Sequence, residues 1–341
     1  MTASAEFVNH NRRIDCEPGE TLLRAGLRAG LSLPYECASG GCGSCRAQLL
    51  EGSVESLWPD ATGLTDRDRR RGNRILMCQS VPTEDCRLKA PVLGEEPAAP
   101  EPVPRKMSAV LRRREMLTED TALFVLGFDE PVDYLPGQFM LLESADGIRR
   151  AYSMAHPAGE IGSTDIEFII RAKPGGAGSR WLFEHLASGD DLLVEGPYGR
   201  AYARHDSDRP VVSIAGGTGL APVLAITDRV LSQGKCPQLD FYFGVRRGTD
   251  LVVIERLEKL AAMGARVTLS VQEPADDLTV PANMTVRPGL VIDAVAQDWD
   301  DLSGHDIYLA GPAGMVDAAL RALLRERSAL ADRVFFDRFI A

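Results

Sequence analysis

Four cysteines carry the strongest chemical signal in the chain. Cys37, Cys42 and Cys45 fall in the run Cys-Ala-Ser-Gly-Gly-Cys-Gly-Ser-Cys, and Cys78 follows after 32 intervening residues. The spacing C-x4-C-x2-C with a distant fourth cysteine is the plant-type ligand pattern of a 2Fe–2S cluster. Three thiolates from one tight loop can hold one side of a compact cluster while a fourth arrives from another segment. Gly40, Gly41 and Gly43 let the backbone bend and approach inorganic sulfide, where amide N–H groups stabilise negative charge. A structural zinc site is the bland alternative, but four-cysteine zinc sites usually pair two short C-x2–4-C knuckles, and Cys78 stands alone. Cys16, Cys86 and Cys236 fit no ligand spacing and read as structural thiols. An odd total of seven cysteines argues against a disulfide scaffold.

Two further constellations suit nucleotides. Arg150-Ala151-Tyr152-Ser153 ends a strand-like run, with Ile170-Arg171 and Pro174-Gly175-Gly176-Ala177-Gly178-Ser179 downstream. Arginine offers a bidentate fork for a pyrophosphate, tyrosine a flat face for an isoalloxazine, and serine a donor to ring atoms. Gly176 and Ser179 at a helix start make an anion site. Alone the short motif would be a surface strand end; the glycine loop gives it weight. The third constellation is Gly216-Gly217-Thr218-Gly219-Leu-Ala-Pro222, between a buried-strand run and a helix. Its glycines allow close backbone approach, and Pro222 suits the first turn of a helix whose N-terminus faces phosphate. This is not the G-x-G-x-x-G fingerprint, and a mere strand–helix turn is the competing reading. Phe243-Gly244-Val-Arg246 and Leu309-Ala310-Gly311-Pro312 end two more strands, where α/β ligands bind.

The elements that must position these residues divide the chain. Its 341 residues suggest two or three domains. Five prolines between Pro91 and Pro104 mark an extended, exposed linker. Residues 1–90 before it carry a short helix capped by Thr21 and stopped at Gly30. A strand follows from Arg46 to Leu50, and a second helix runs from a Thr65/Asp68 capping box to Gly72. Residues 105–205 are punctuated by Pro136-Gly137, Gly147 and Pro174-Gly175, which predicts short antiparallel strands, a closed barrel and one helix near 179–186. Residues 206–341 alternate strands (211–215, 239–243, 266–271, 307–310, 334–336) with helices (221–231, 252–263, 313–327), which predicts a parallel α/β sheet.

Charge and hydropathy exclude other classes. The formal charge of −11 lacks the field of a general nucleic-acid binder, and no apolar run is long enough to span a membrane. Residues 1–13 lack an apolar signal-peptide core, so the expected location is the cytoplasm. Residues 1–90 hold 12 acidic and 12 basic side chains, including Arg67, Arg69, Arg70, Arg71 and Arg74. That basic run reads as a solvated helix surface before it reads as a docking patch.

The order of these motifs resembles, over nearly the full length, the three-part reductases of bacterial multicomponent oxygenases. Pro34-Tyr-Glu-Cys37, Glu51-Gly-Ser-Val54, Leu57-Trp-Pro-Asp60 and Phe336-Asp-Arg-Phe339 are similar to the toluene/alkene diiron monooxygenase branch. The resemblance implies an α+β multidomain fold: a β-grasp ferredoxin domain (1–90), a linker (91–104), an antiparallel β-barrel FAD domain (105–205) and an α/β NAD-binding domain (206–341) like that of ferredoxin–NADP reductase. It implies electron flow from NADH through FAD and the 2Fe–2S centre to an oxygenase component, or to its Rieske ferredoxin, from a monomeric protein bound to neither nucleic acid nor membrane. A Rieske dioxygenase reductase, or an electron carrier with little NADH turnover, are the other readings. By the same resemblance Arg150, Ala151, Tyr152, Ser153, Ile170, Arg171, Gly175, Gly176 and Ser179 would bind FAD. Gly216, Gly217, Thr218, Gly219, Gly244, Arg246, Gly311 and Pro312 would bind NADH. Ser153, Ala310, Asp337 and Phe339 would border the hydride path. The family usually carries Cys-Gly beside the nicotinamide, and this chain has Ala310-Gly311.

Overall fold

Local rules visible in the sequence set the first elements. In the computed structural model, which describes residues 3–93, 102–155, 163–204, 207–273 and 279–340, the Thr21 side chain accepts from the Arg24 N–H and starts α1 (Leu22–Arg28). The strands of this unit are β1 (Ser4–Phe7), β2 (Arg12–Asp15), β3 (Arg46–Glu51), β4 (Val54–Ser56), β5 (Arg74–Leu76), β6 (Ser80–Pro82) and β7 (Cys86–Lys89). The sheet order is β2-β1-β7-β3-β5, with β4 and β6 in a separate hairpin. Helix α2 (Asp66–Arg71) begins with the expected capping box and ends at Gly72 in the left-handed region. Phe7, Leu22, Leu33 and Leu88 lie wholly buried at the centre of this β-grasp unit.

Of the linker, residues 94–101 lie outside the described residues. A six-stranded antiparallel sheet follows, built from β8 (Arg105–Met116), β9 (Thr121–Val132), β10 (Phe139–Glu143), β11 (Arg149–Ser153), β12 (Ser163–Arg171) and β13 (Asp191–Tyr198). Its order is β11-β10-β13-β8-β9-β12. Among the described residues the two edge strands meet through the bridge from Met154 to Phe168, which curls the sheet into a barrel. The expected helix is one α turn, α3 (Ala177–Arg180), running into a π turn at Trp181–His185.

The remaining residues form an all-parallel sheet, from β14 (Val211–Gly216), β15 (Leu239–Arg247), β16 (Arg266–Glu273), β17 (Met284–Pro288), β18 (Asp306–Pro312) and β19 (Val334–Phe339). Helices α4 (Leu220–Gln233), α5 (Ile254–Ala262), α6 (Val291–Asp298) and α7 (Ala313–Glu326) connect them. The order β17-β16-β15-β14-β18-β19 runs outward in both directions from β14. The chain therefore switches direction between β14 and β18, where open α/β sheets bind ligands. Strand β17 and helix α6 are absent from the sequence reading. Only Met284 of β17 is buried, so its run shows no hydrophobic signature.

Candidate cofactor centres

The four expected cysteine ligands converge, in two pairs. Cys37 Sγ lies 3.3 Å from Cys42 Sγ, and Cys45 Sγ lies 3.3 Å from Cys78 Sγ, well beyond disulfide bonding. Among the described residues no three metal-ligating side chains converge on one point, as a single tetrahedral ion would need. Two thiolates for each of two irons is the arrangement a 2Fe–2S cluster needs, so the donor set fits that cluster and not zinc. The loop backbone donates inward: the Cys42 N–H points at Cys37 Sγ and the Ser44 N–H at Cys42 Sγ, both at 3.4 Å. The Cys42 thiol, with the amides of Ser39 and Cys42, pulls the Cys37 thiol down to about 5. The same proton sharing, with burial, pushes Cys42 and Cys78 up, Cys78 through its partner Cys45. Gly43, at φ +77°, has no room for a side chain: a Cβ there would stand 2.5 Å from the Gly63 carbonyl oxygen. Gly41 lies outside the left-handed region, so its backbone does not require glycine.

The two halves of the flavin motif also meet. A Cβ on Gly178 would stand 2.6 Å from Arg150 Cγ and 3.4 Å from Tyr152 Oη, so the glycine loop lies against β11. Burial raises the Tyr152 phenol to about 12, which keeps it a neutral donor. Arg150 donates to its neighbour's carbonyl and otherwise lies 5.3 Å above the Trp58 ring, leaving its outer fork without an ion pair among the described residues. A guanidinium unpaired among the described residues, beside a half-buried tyrosine and glycine amides, fits a pyrophosphate and ring system. Three expected flavin residues differ in placement. Ser179 Oγ accepts from the Lys173 N–H at 2.9 Å and so closes its own loop. Ile170 is 2% exposed and belongs to the barrel core. Arg171 is paired with Asp120 at 2.7 Å and turns towards the neighbouring cleft.

That cleft, of about 410 Å³, opens over the carboxyl ends of β14, β15 and β18. Gly216, Gly217, Thr218, Gly244, Arg246 and Pro312 line it. Close backbone approach explains the glycines: a Cβ on Gly219 would strike the Ala310 carbonyl oxygen, and one on Gly244 would stand 2.7 Å from Val291 Cβ. Thr121 and Arg171 of the barrel, with Asp250, Val291 and Met315, complete the walls. Ala310 is 3% exposed and packs in the core beneath this floor.

Strand β19 ties the parts together. Asp337 pairs in register with Ala310, Arg338 reaches Glu36 beside the first cysteine at 3.6 Å, and Ile340 lies 3.6 Å from the Cβ position of Gly41. The barrel edge also packs on the N-terminal unit: Phe139, Leu141 and Tyr198 share its core, Gly199 donates to Tyr35 Oη at 3.2 Å, and Arg24 approaches Glu195 at 3.6 Å. The cysteine loop therefore lies against the last strand, and the barrel packs on the N-terminal unit that carries it.

Family models match in the same order. A 2Fe-2S iron-sulfur cluster binding domain covers residues 7–83, an oxidoreductase FAD-binding domain 108–202, and an oxidoreductase NAD-binding domain 214–321. The chain is 44% identical, over 98% of its length and 99% of the relative's, to the ferredoxin–NAD(+) reductase component of the alkene monooxygenase system of Xanthobacter autotrophicus. It is 34% identical, over 91% of its length and 90% of the relative's, to the ferredoxin–NAD(P)(+) reductase component of the naphthalene 1,2-dioxygenase system of Pseudomonas putida. The solved ferredoxin reductase in carbazole 1,9a-dioxygenase superposes with a TM-score of 0.85 at 34% identity, covering 99% of this chain and 98% of that one. The chain belongs to the ferredoxin–NAD(P)+ reductase components of bacterial oxygenase systems.

In this reductase the residues that join the domains are ones to which the sequence gives family likeness but no role. Trp58, Tyr35, Glu36 and Arg338 belong to no ligand motif, because each acts on a partner far away in the chain. Asp337, expected near the flavin, is 8% exposed, and its Oδ2 has no hydrogen-bond partner among the described residues. Burial, helped by the charge of Glu36, pushes its carboxyl up to about 8. Burial thus holds Asp337 towards its neutral form where the last strand meets Glu36.

Proposed function

We propose that this reductase takes electrons from NADH and delivers them singly to the oxygenase component of a multicomponent hydrocarbon monooxygenase. The observation that carries the reading is the contact of the cysteine loop with the flavin motif, through Trp58 and Arg150 on one side and Glu36, Arg338 and Ile340 on the other. The chemistry that FAD supplies when bound is to accept an electron pair as hydride and to release it one electron at a time. The protein's residues then have defined tasks. Arg150 anchors the FAD pyrophosphate; Ala151, Tyr152 and Ser153 border the ring; Gly175, Gly176 and the loop held shut by Ser179 offer amides. Gly216 to Gly219, Gly244, Gly311 and Pro312 bring backbone to the NADH pyrophosphate and nicotinamide ribose. Asp337 and Phe339 close the flavin side of the ring, and Ala310 supports the floor where the family usually has cysteine. Cys37, Cys42, Cys45 and Cys78 hold the cluster. Residues 1–90, 105–205 and 206–341 are the working domains, with 91–104 as spacer.

NADH is the proposed donor in preference to NADPH. Asp250 is bound by Arg247 at 2.9 Å and approached by Arg171 at 3.7 Å. Burial alone would raise its carboxyl, but the Arg247 donors and Arg171 outweigh burial and hold it below its ordinary range. An ionised carboxylate on the cleft wall repels a 2′-phosphate, and Arg246 is already engaged by Glu273 at 2.9 Å. A Rieske dioxygenase as acceptor is supported by the carbazole dioxygenase reductase likeness, and the 44% identity to the alkene monooxygenase reductase favours the diiron system. A monomer in the cytoplasm completes the proposal; no helix among the described residues is long and apolar enough to cross a membrane. The test is NADH-dependent reduction of a two-electron dye and of cytochrome c by the purified protein, with iron, acid-labile sulfide and FAD assayed. Dye reduction without cytochrome c reduction in fully loaded protein would overturn the one-electron outlet.

A further inference from the structure

Resting on that electron-transfer reading, one surface beside the cysteine loop has no role in the scheme so far. None of the six residues of α2 is buried. Arg67, Arg70 and Arg71 stand at i, i+3 and i+4, on one face of the helix. Among the described residues none of these three, nor Arg74 beyond the helix, has a carboxylate partner. The neighbours are differently engaged: Arg69 donates to the carbonyls of Pro59 and Ala61, both at 2.6 Å, and Asp68 takes Arg46 at 3.0 Å. The helix dipole accounts for cations in the last turn. It does not account for Arg67, which lies in the first turn where a cation is disfavoured.

The helix is fastened to the loop that holds three of the four cysteines. Arg46, next to Cys45, donates to the Gly43 carbonyl at 3.0 Å with Nε and to Asp68 with Nη1. Gly63, just before the helix, donates to the Gly40 carbonyl at 2.9 Å. The flavin side reaches the loop through Gly41 and Glu36 and, past Gly40, through Arg150 over Trp58, while Arg67, Arg70 and Arg71 take part in none of these contacts. We propose that Arg67, Arg70, Arg71 and Arg74 form the docking surface for the protein that receives electrons from the 2Fe–2S centre, and that this partner presents an acidic patch beside its own redox centre. Opposite surface potentials steer encounter and fix orientation, which a brief one-electron contact needs more than it needs tight binding. The chain's net charge of −11 repels extended polyanions, so a compact acidic protein suits this local basic patch better than nucleic acid or an anionic bilayer.

The test uses the full-length, cofactor-loaded protein, with the acidic soluble domain of cytochrome b5 and the basic cytochrome c as acceptor probes. The triple variant Arg67→Glu/Arg70→Glu/Arg71→Glu is expected to lower kcat/KM for cytochrome b5 at least about 10-fold at low ionic strength. The loss should shrink to below about twofold in roughly 0.5 M salt, where screening shortens the reach of charge to a few ångströms. Cytochrome c reduction should move the opposite way. The triple lysine variant should behave like the unmodified protein, and thermophoresis should show weaker cytochrome b5 binding only in the glutamate variant. NADH–dye reduction and the cluster's visible absorbance should hold in all three proteins; their absence from the unmodified protein would instead sink the reductase reading. Unchanged rates with both cytochromes, or a fall with both alike, overturns the docking surface. Unchanged rates together with lost binding to phosphatidylserine vesicles would make α2 a lipid patch, which also overturns it.

Discussion

The cysteine centre and the dinucleotide cleft are built by opposite means. At the centre the protein offers side chains: four thiolates within 42 residues, held by a loop whose glycines make room. At the cleft it offers mainly backbone, brought to one place by the ends of three strands, and its glycines are absences of side chain. Removing one side chain should therefore ruin the first site, whereas adding one should ruin the second.

The largest expected effect sharpens this contrast. Cys78→Ser removes one thiolate of the Cys45–Cys78 pair, and acid-labile sulfide should fall from about two per chain towards none. Cytochrome c reduction should drop at least about 100-fold while NADH–dye reduction and FAD content stay within about twofold, since the cofactor chemistries reside in separate groups. Equal loss of both activities with FAD still bound would make the halves one inseparable unit.

Arg150→Ala comes next, at a site between the two extremes, where one side chain supplements backbone amides. A charge-assisted pair to phosphate contributes about 1.5–3 kcal/mol, so FAD affinity should weaken roughly 10- to 150-fold. Fluorescence titration of apoprotein with FAD measures it, and an unchanged affinity would place the pyrophosphate anchor elsewhere. Gly219→Ala drives a methyl into the Ala310 carbonyl. Overpacking of this kind costs about 1–3 kcal/mol, seen as a rise of about 5- to 150-fold in KM for NADH with cluster and FAD content unaltered. By contrast Arg246→Ala should change that KM less than about threefold, because an exposed pair such as Arg246–Glu273 contributes little. A large effect of Arg246 would break the contrast and make the cleft a side-chain site.

Asp337 acts on stability and not on a cofactor, and so gives a distinct readout. Its carboxyl is raised to about 8 when folded, from an ordinary value of 3.8. The stability this confers is full below about pH 4 and is lost as pH rises towards 8, at no more than about 1.4 kcal/mol per pH unit. Thermal unfolding of the native protein and of Asp337→Asn, compared from pH 5 to pH 8, should diverge, with the variant's Tm falling less steeply. Parallel curves would show that Asp337 is ionised throughout.

Legibility followed the range of each interaction. The Thr65/Asp68 capping box and the Thr21 cap are written within four residues, and both formed as read. Helix α6 buries Val291, Ala294 and Val295 at helical spacing, a signal that was present but lay in a stretch of only eight residues. Arg171 stands in the flavin motif's strand but on the cleft wall, because successive residues of a strand face opposite ways: Ile170 points into the barrel while the next residue faces the cleft.

By itself the sequence determined the cofactors, because cysteine spacing, glycine loops and an arginine at a strand end are local requirements of the groups they hold. It determined the order of the domains, because hydrophobic period is a property of consecutive residues. Only the tertiary structure decided that the cysteines meet in two pairs, that Arg150 lies over Trp58, and that the last strand carries Arg338 and Ile340 to the cysteine loop. The contacts of Arg150, Arg338 and Ile340 join residues 92 to 302 positions apart, where no local rule of propensity, capping or spacing operates. The packing of whole faces against one another sets them.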